Sequence, residues 1–220
     1  MLTGPNLAKE ILAGDAAASV IAMDDPVIAE TLLDVFASDG FRVYTNPDVI
    51  GCEVAGALKN VMAIASGMAD GLGTGDNTRA AVITRGLAEL SRLGLAMGGE
   101  LLTFAGLAGM GDLVATCISP QSRNRYVGEQ LGKGRTLTEV VDEMNMVAEG
   151  VKTSAVVAEL GEQYGIEMPI AEEVYAVVHQ GRTAEEAYRG LLCREVGAEH
   201  EGMRPEGREA FARLQDRGGG

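Results

Sequence analysis

One segment limits what this chain can fold into more than any other. From Pro47 to Ala69 almost every residue is apolar or small, interrupted by Asp48, Glu53, Lys59, Asn60 and Ser66. A helix that is apolar nearly all round has to be enclosed by protein. The helix is rich in Gly and Ala, and Gly56 could let something approach it closely. The triplet Asn46-Pro47-Asp48 supplies a start: an N-cap at Asn46, a proline in the first turn and an acid at the positive end of the helix dipole. The expectation is a buried central helix with other helices packed around it.

The rest of the chain supports that picture. Hydrophobic residues make up 46 % of the sequence, aromatic residues only 4 %, and there is no Trp. Such a core is built from Ala, Leu, Val, Ile and Met, which suits close helix packing, and the methionines read as core filler. A second long helix is predicted from about Asn77 to Met97, after the turn Gly71-Leu72-Gly73-Thr74-Gly75 with Asp76 as its cap. Further helices are predicted at about 123–132, 136–143, 149–163, 169–179 and 184–194, with loops around 106–111 and 119–122. Ahead of all these lies mixed α/β character: a short helix in Pro5–Ala13, a strand at Ser19–Met23, a helix opened by Asp24, Asp25 and Pro26 and running to Phe36, and a strand at Phe41–Thr45. Two strands and one helix do not make a stable sheet alone, so they read as the end of a larger one. The organisation expected is an α/β remnant over 1–46, a helical domain over 47–195 and a flexible tail over 196–220.

Several function classes are disfavoured. The formal net charge of −14 repels nucleic acid. Cys52, Cys117 and Cys193 are widely spaced, and with only His179 and His200 available no metal-ligand spacing appears. Reduced thiols and a cytoplasmic location are expected, with no signal peptide. Counting Glu53, Lys59 and Asp70, no apolar run is expected to span a membrane.

Three places can carry chemistry. Lys59 stands in the middle of the most apolar helix, and Gly56, Lys59 and Asn60 share a face. A lysine so placed is a candidate proton donor and acceptor, or else it reaches the surface or pairs with Glu53 or Asp70. Ser122-Arg123-Asn124 opens a predicted helix; free backbone N–H groups and a guanidinium suit a phosphate, although Ser122 as a plain cap with an exposed Arg123 is the alternative. Asp112 is either the cap of a short helix or a buried partner for a lysine. The loop Gly71-x-Gly73-x-Gly75 is not a phosphate loop, because it follows a helix and lacks the dinucleotide spacing.

Taken together, these segments resemble the NAD(P)-dependent glycerol-3-phosphate dehydrogenase family. The resemblance runs through Gly4-Pro5-Asn6-Leu7-Ala8-Lys9-Glu10, Gly56-Ala57-Leu58-Lys59-Asn60, Asp70-Gly71-Leu72-Gly73, Gly75-Asp76-Asn77, Gly109-Met110-Gly111-Asp112-Leu113, Ser122-Arg123-Asn124-Arg125 and Val147-Ala148-Glu149-Gly150, in order over residues 2 to about 195. It implies a mainly α chain, an all-helical substrate-binding domain of the 6-phosphogluconate-dehydrogenase C-terminal type behind a partial Rossmann remnant. It also implies interconversion of dihydroxyacetone phosphate and sn-glycerol 3-phosphate with NAD or NADP, in the supply of glycerophospholipid precursors.

By the same resemblance Lys59 is the general acid/base, and Gly4, Asn6, Lys59, Asp112, Ser122, Arg123 and Asn124 contact substrate. Ala8, Arg123, Val147 and Glu149 contact cofactor, Asn60 and Thr116 lie in the same site, no metal is used, and the full-length protein is a homodimer. The family's Gly-rich dinucleotide fingerprint is not found in this chain, nor is a second lysine that precedes the Gly-Pro segment in the family. The expectation is therefore a C-terminal portion that is inactive by itself. A related 2-keto or 3-hydroxy acid reductase and a non-catalytic helical interaction module are the alternatives.

Overall fold

The computed structural model describes residues 1–144 and 148–194. The tail expected at 196–220 and the candidate Val147 lie outside the described residues. The chain opens with β1 (Leu2–Thr3), α1 (Ala8–Ala13), β2 (Ala17–Ala22), α2 (Pro26–Phe36) and β3 (Phe41–Asn46). These form a three-stranded sheet in the order β1-β2-β3. β1 pairs antiparallel to β2, with Leu2 opposite Ile21, and β2 pairs parallel to β3, from Ala17 opposite Phe41 to Ala22 opposite Asn46. The parallel pair needs a crossover, and α2 provides it. Asp25 caps α2 by accepting from the N–H groups of Val27 and Ile28, ahead of Pro26 at its start. The short β1 is an element that the sequence pattern did not reveal, and the first helix begins at Ala8 rather than at Pro5.

The helical part follows: α3 (Val49–Gly71), α4 (Asp76–Ala96), α5 (Leu101–Ala105), α6 (Asp112–Ile118), α7 (Arg123–Gly132), α8 (Leu137–Glu143), α9 (Glu149–Tyr164), α10 (Pro169–His179) and α11 (Ala184–Leu192). The glycine-rich stretch expected as a loop near 106–111 is instead a π-helical turn, Leu107–Gly111, leading straight into α6. Two caps also differ from expectation. The cap of α3 is Asp48, whose Oδ1 accepts from Gly51 N at 2.8 Å, while Asn46 ends β3 and accepts from Asp48 N. The cap of α4 is Gly75, and Asp76 lies inside the helix, where it pairs with Arg79. Asp48 also accepts from Glu100 N at 2.8 Å. Burial pushes its carboxyl up, but the hydrogen bonds from Glu100, Thr103 and Gly51 outweigh that and hold it below its ordinary value.

α3 is the hub. Its residues Leu58, Val61, Met62, Ala63 and Ile64 are at most 2 % exposed, in one core with Leu90, Leu93, Phe104, Leu113, Val127, Val157 and Val174. In length and hydropathy α3 does reach a membrane span, contrary to the expectation, but 61 % of the relevant window is buried inside the protein. It is the core helix of a globular fold. Its crossing with α7 has almost no side-chain layer. A methyl added at Gly67 would stand 2.0 Å from the carbonyl oxygen of Arg125, and one at Gly128 would stand 2.0 Å from that of Ile64. Gly71 and Gly132 meet in the same way one turn further on. Asp70 clamps this crossing, pairing with Arg125 at 2.7 Å and with Arg79 of α4 at 2.6 Å.

The sheet rests on the start of α3 and on the π-helical turn through a small cluster of Val20, Ala22, Cys52 and Ala108. Two helices lack a side-chain cap of their own and receive one from elsewhere. Glu89 of α4, 2 % exposed, accepts from Ile170 N at 2.8 Å and from Ala171 N at 3.2 Å in the first turn of α10. Asn124 of α7 accepts from Gly150 N at 2.9 Å in the first turn of α9.

Gly128→Ala is expected to force α3 and α7 apart at a cost of about 1–3 kcal/mol, as overpacking does, whereas Gly40→Ala, where a methyl meets nothing, stays within about 0.5 kcal/mol. Chemical denaturation of the two variants reads this, and equal stabilities would show that the crossing tolerates a side chain.

A second expectation concerns pH. Burial pushes the Glu89 carboxyl up to about 7, against the opposing pull of the Ile170 and Ala171 N–H groups. A carboxyl whose folded-state pKa is raised binds its proton more tightly in the folded protein. Its stabilising contribution is complete below the unfolded value near 4.5 and is lost as pH rises through about 7. The unfolding free energy of the wild type, relative to that of Glu89→Gln, is expected to fall over this window by up to about 3 kcal/mol. A difference that does not change with pH would rule out this titration.

Candidate functional site

The predicted residues gather where the sheet meets the helical part. Lys59, midway along α3, is half-buried with 21 % of its side chain exposed, and its Nζ donates to Asp112 Oδ2 at 2.5 Å. The partner is thus neither Glu53 nor Asp70 but an acid from another element. Asp112 is the first residue of α6 rather than its cap, and its side chain is 5 % exposed. Two hydroxyls complete its surroundings. Thr116 Oγ1 donates to the Asp112 carbonyl at 2.7 Å and lies 3.3 Å from its Oδ1, and Thr3 Oγ1 lies 3.4 Å from its Oδ2. The ammonium has three donors and spends one on Asp112. The others have no partner among the described residues.

β1 packs over Gly56. A methyl there would meet Met1 Cε at 3.1 Å and Thr3 Oγ1 at 3.5 Å, so the space beside Lys59 is filled by the opening strand. Gly4 follows with a left-handed φ of 125°, and a methyl on it would press on Ala18 and Ser19 at 3.2 Å. Asn6 Nδ2 donates to Ser19 Oγ at 2.8 Å. Pro5 lies against Gly111 of the π-helical turn. The Gly-Pro-Asn segment is therefore pinned between β2 and the turn that carries Asp112.

The second constellation sits at the start of α7. Ser122 is its cap, accepting from Arg125 N at 3.2 Å. Arg123 is exposed and makes no hydrogen bond or ion pair among the described residues. The alternative of a plain Ser122 cap with an exposed Arg123 is what the geometry displays, and it leaves the guanidinium open beside the start of α7. Asn124 is buried, and its amide is committed at both ends, to Gly150 N and to Asn60 Oδ1 at 3.0 Å. Since Asn60 follows Lys59, this bond joins the two constellations.

The remaining candidates are more loosely placed. Ala8, on α1, and Glu149, the first residue of α9, are both exposed. α1 does reach toward the second constellation, because Gln121 Nε2 donates to Glu10 Oε1 at 3.2 Å. A cavity of about 470 Å³ beside α9 and α10 is lined by none of the predicted site residues. The cysteines are unpaired, and burial pushes the Cys117 thiol up to about 12. Among the described residues no three His, Cys, Asp or Glu side chains gather as a metal site. Thr3 was missed by sequence reasoning, and its only signal was its place directly before Gly4-Pro5-Asn6.

Residues 48–189 match the model of the NAD-dependent glycerol-3-phosphate dehydrogenase C-terminus. The chain belongs to this family. It is 59 % identical to glycerol-3-phosphate dehydrogenase [NAD(P)+] 2 of Sphingopyxis alaskensis, over 90 % of this chain and 60 % of the relative. It is 54 % identical to the Mycobacterium avium enzyme of that name, over 92 % of this chain and 59 % of the relative. Among solved structures it resembles the glycerol-3-phosphate dehydrogenase of Coxiella burnetii, with a TM-score of 0.85 at 40 % identity, over 88 % of this chain and 59 % of that one. The chain thus spans about three fifths of the length of these family members.

The ion pair at the centre of the site yields a stability test. Asp112→Ala leaves a half-buried ammonium without its partner and is expected to cost about 3–5 kcal/mol, whereas Lys59→Met with Asp112→Leu, removing both charges, costs far less. If the single and double variants unfold at the same denaturant concentration, the pair does not hold α3 to α6.

Proposed function

We propose that this chain is the substrate-binding part of a cytoplasmic enzyme that interconverts dihydroxyacetone phosphate and sn-glycerol 3-phosphate. The observation that carries the reading is the Lys59–Asp112 pair standing on the same turn as Asn60, which leads through Asn124 to the free Arg123. One end of this arrangement suits proton transfer and the other suits a phosphate. In this reading residues 1–46 belong with the dinucleotide-binding part and 47–195 hold the substrate.

Lys59 Nζ gives a proton to the carbonyl oxygen during reduction and takes it back from the hydroxyl in the reverse direction. Asp112 keeps the ammonium aimed and offsets its charge, and Thr116 and Thr3 hold Asp112. Arg123, with its planar fork, takes the phosphate beside Ser122, Asn124 and the open N–H groups of α7. Gly4 and Asn6 border the substrate from the sheet side.

When bound, NAD(H) or NADP(H) supplies or accepts the hydride. The exposed Ala8, Arg123 and Glu149 would hold one end of such a cofactor, the resemblance adds Val147, and no glycine-rich pyrophosphate loop of the dinucleotide type occurs in this sequence. The product is a phosphorylated glycerol suited to glycerophospholipid synthesis, and the working enzyme is a homodimer. The free Arg123 favours a phosphorylated substrate over the plain keto acids of related reductases. The intact Lys59–Asp112 pair favours an enzyme over a non-catalytic helical module.

In the enzyme that carries this chain, Lys59→Met is expected to lower turnover by about 10²–10⁴ while cofactor binding stays within about twofold. Arg123→Ala is expected to raise the KM for both substrate and cofactor, with Arg123→Lys restoring only part of the loss. Steady-state kinetics with dihydroxyacetone phosphate and NADH or NADPH read both. A Lys59→Met enzyme retaining more than about a tenth of the turnover would remove Lys59 from the proton-transfer role.

A further inference from the structure

We propose that Asn124 is a positioning residue whose task is to set the polarity of the Asn60 side chain beside Lys59. The proposal deepens the reading of Lys59 as the proton-transfer group and rests on it for its functional meaning. A backbone N–H can only donate, so Gly150 N, 2.9 Å from Asn124 Oδ1, fixes which end of the Asn124 amide is the oxygen. The NH2 end of Asn124 then has to face Asn60 at 3.0 Å, and Asn60 has to answer with its oxygen. The NH2 of Asn60 is consequently turned away from Asn124 and makes no hydrogen bond among the described residues. It is a free two-proton donor on the turn that carries Lys59, on a half-buried residue. A donor fixed there in advance suits an oxygen that gains negative charge, and it needs no reorganisation as the charge appears.

The neighbouring contacts leave little freedom to reverse this chain of hydrogen bonds. A methyl on Gly150 would stand 2.6 Å from the Asn60 carbonyl oxygen, so α9 approaches α3 at backbone distance. Ala148, the residue at the cap position of α9, supplies no side-chain cap, so Asn124 is the group that satisfies Gly150 N. Capping and polarity are thus joined in one side chain, and the conservative change Asn124→Asp separates them. The carboxylate introduced by that change would still accept from Gly150 N, but its second oxygen can only accept, so Asn60 would have to flip and spend its NH2 inward.

The test measures solvent exchange of side-chain and backbone amides by NMR in the 220-residue chain. Asn60→Ala and Asn124→Asp identify the side-chain signals. In the wild type, Gly150 N–H and the Asn124 NH2 are expected to be protected, with the Asn60 NH2 exchanging freely. In Asn124→Asp, Gly150 N–H stays protected and the Asn60 NH2 becomes at least about tenfold slower, a change that a purely structural cap would not produce. A protected Asn60 NH2 in the wild type, or one that Asn124→Asp leaves unchanged, overturns the proposal. In the enzyme that carries this chain, Asn124→Asp is expected to lower kcat at least about tenfold with the cofactor KM within about twofold. Adding it to Asn60→Ala should bring no further loss, and a full additional loss in the double variant also overturns the proposal. Should the wild-type enzyme show no turnover of dihydroxyacetone phosphate, the proposed function fails, and the exchange measurement still decides the polarity.

Discussion

The backbone-to-backbone crossing of α3 and α7 is the constraint on which the rest of the structure depends. Glycines face carbonyls from both sides, Gly67 against Arg125 and Gly128 against Ile64, so the two helices lie closer than any side-chain layer would permit. Three consequences follow at the end of the crossing nearer the site. The start of α7 comes level with the middle of α3, Asn124 reaches Asn60, and the neighbours of these two residues in the chain, Arg123 and Lys59, are carried on the turns so joined. At the other end, Asp70 draws Arg125 and Arg79 onto one carboxylate and ties in α4. Removing one partner from such a buried cluster costs far more than never having built it, so these charges fix geometry rather than add net stability.

A second theme is that helix ends are satisfied across the fold instead of within their own segments. α8 and α11 carry local capping boxes, Thr136 with Glu139 and Thr183 with Glu186. α9 and α10 carry none and take Asn124 and Glu89 from distant elements. A local cap stabilises a helix wherever it goes, whereas a cap supplied from another helix satisfies the orphan N–H groups only in one arrangement. α9 and α10 are thus helices whose stability depends on correct assembly, and only the cap of α9 comes from a site residue.

The helices were legible because their signals are local. α7 and α10 match the predicted ranges, and α9 differs by a single residue, since apolar periodicity and turn residues fix such segments without tertiary help. The misses came where tertiary contacts decide. Nothing in Leu2 and Thr3 alone announces a strand, because β1 exists only by pairing with β2. The glycines of 106–111 read as a loop, yet they wind into a π-helical turn, closed by Gly111 N donating to Gly106 O, against which Val20 and Ala22 of the sheet pack through Ala108. Asn46 and Asp76 were reasonable caps by residue type, but Asn46 is used by β3 and Asp76 by Arg79. Within the site, the place of Lys59 on the apolar helix and of Ser122 as a helix cap was legible from residue type and neighbourhood. The pairing of Lys59 with Asp112 was not, since the two lie 53 positions apart.

Asp112 is the residue through which the two layers are joined. It starts α6 directly after the π-helical turn, receives Lys59 from α3 and Thr116 from its own helix, and faces Thr3 from the sheet. Pro5 and Gly4 press the opening segment against Gly111 and β2, so the hydroxyl of Thr3 cannot move independently of either layer. A shift of the sheet against the helical part would therefore act on the Asp112 carboxylate and, through it, on the direction of the Lys59 ammonium. Gly56 lies beneath the opening strand, where an added methyl would touch the end of the Met1 side chain and come into contact with Thr3. The opening strand thus packs over Gly56, and the lysine one turn later donates to the carboxylate that faces that strand's Thr3.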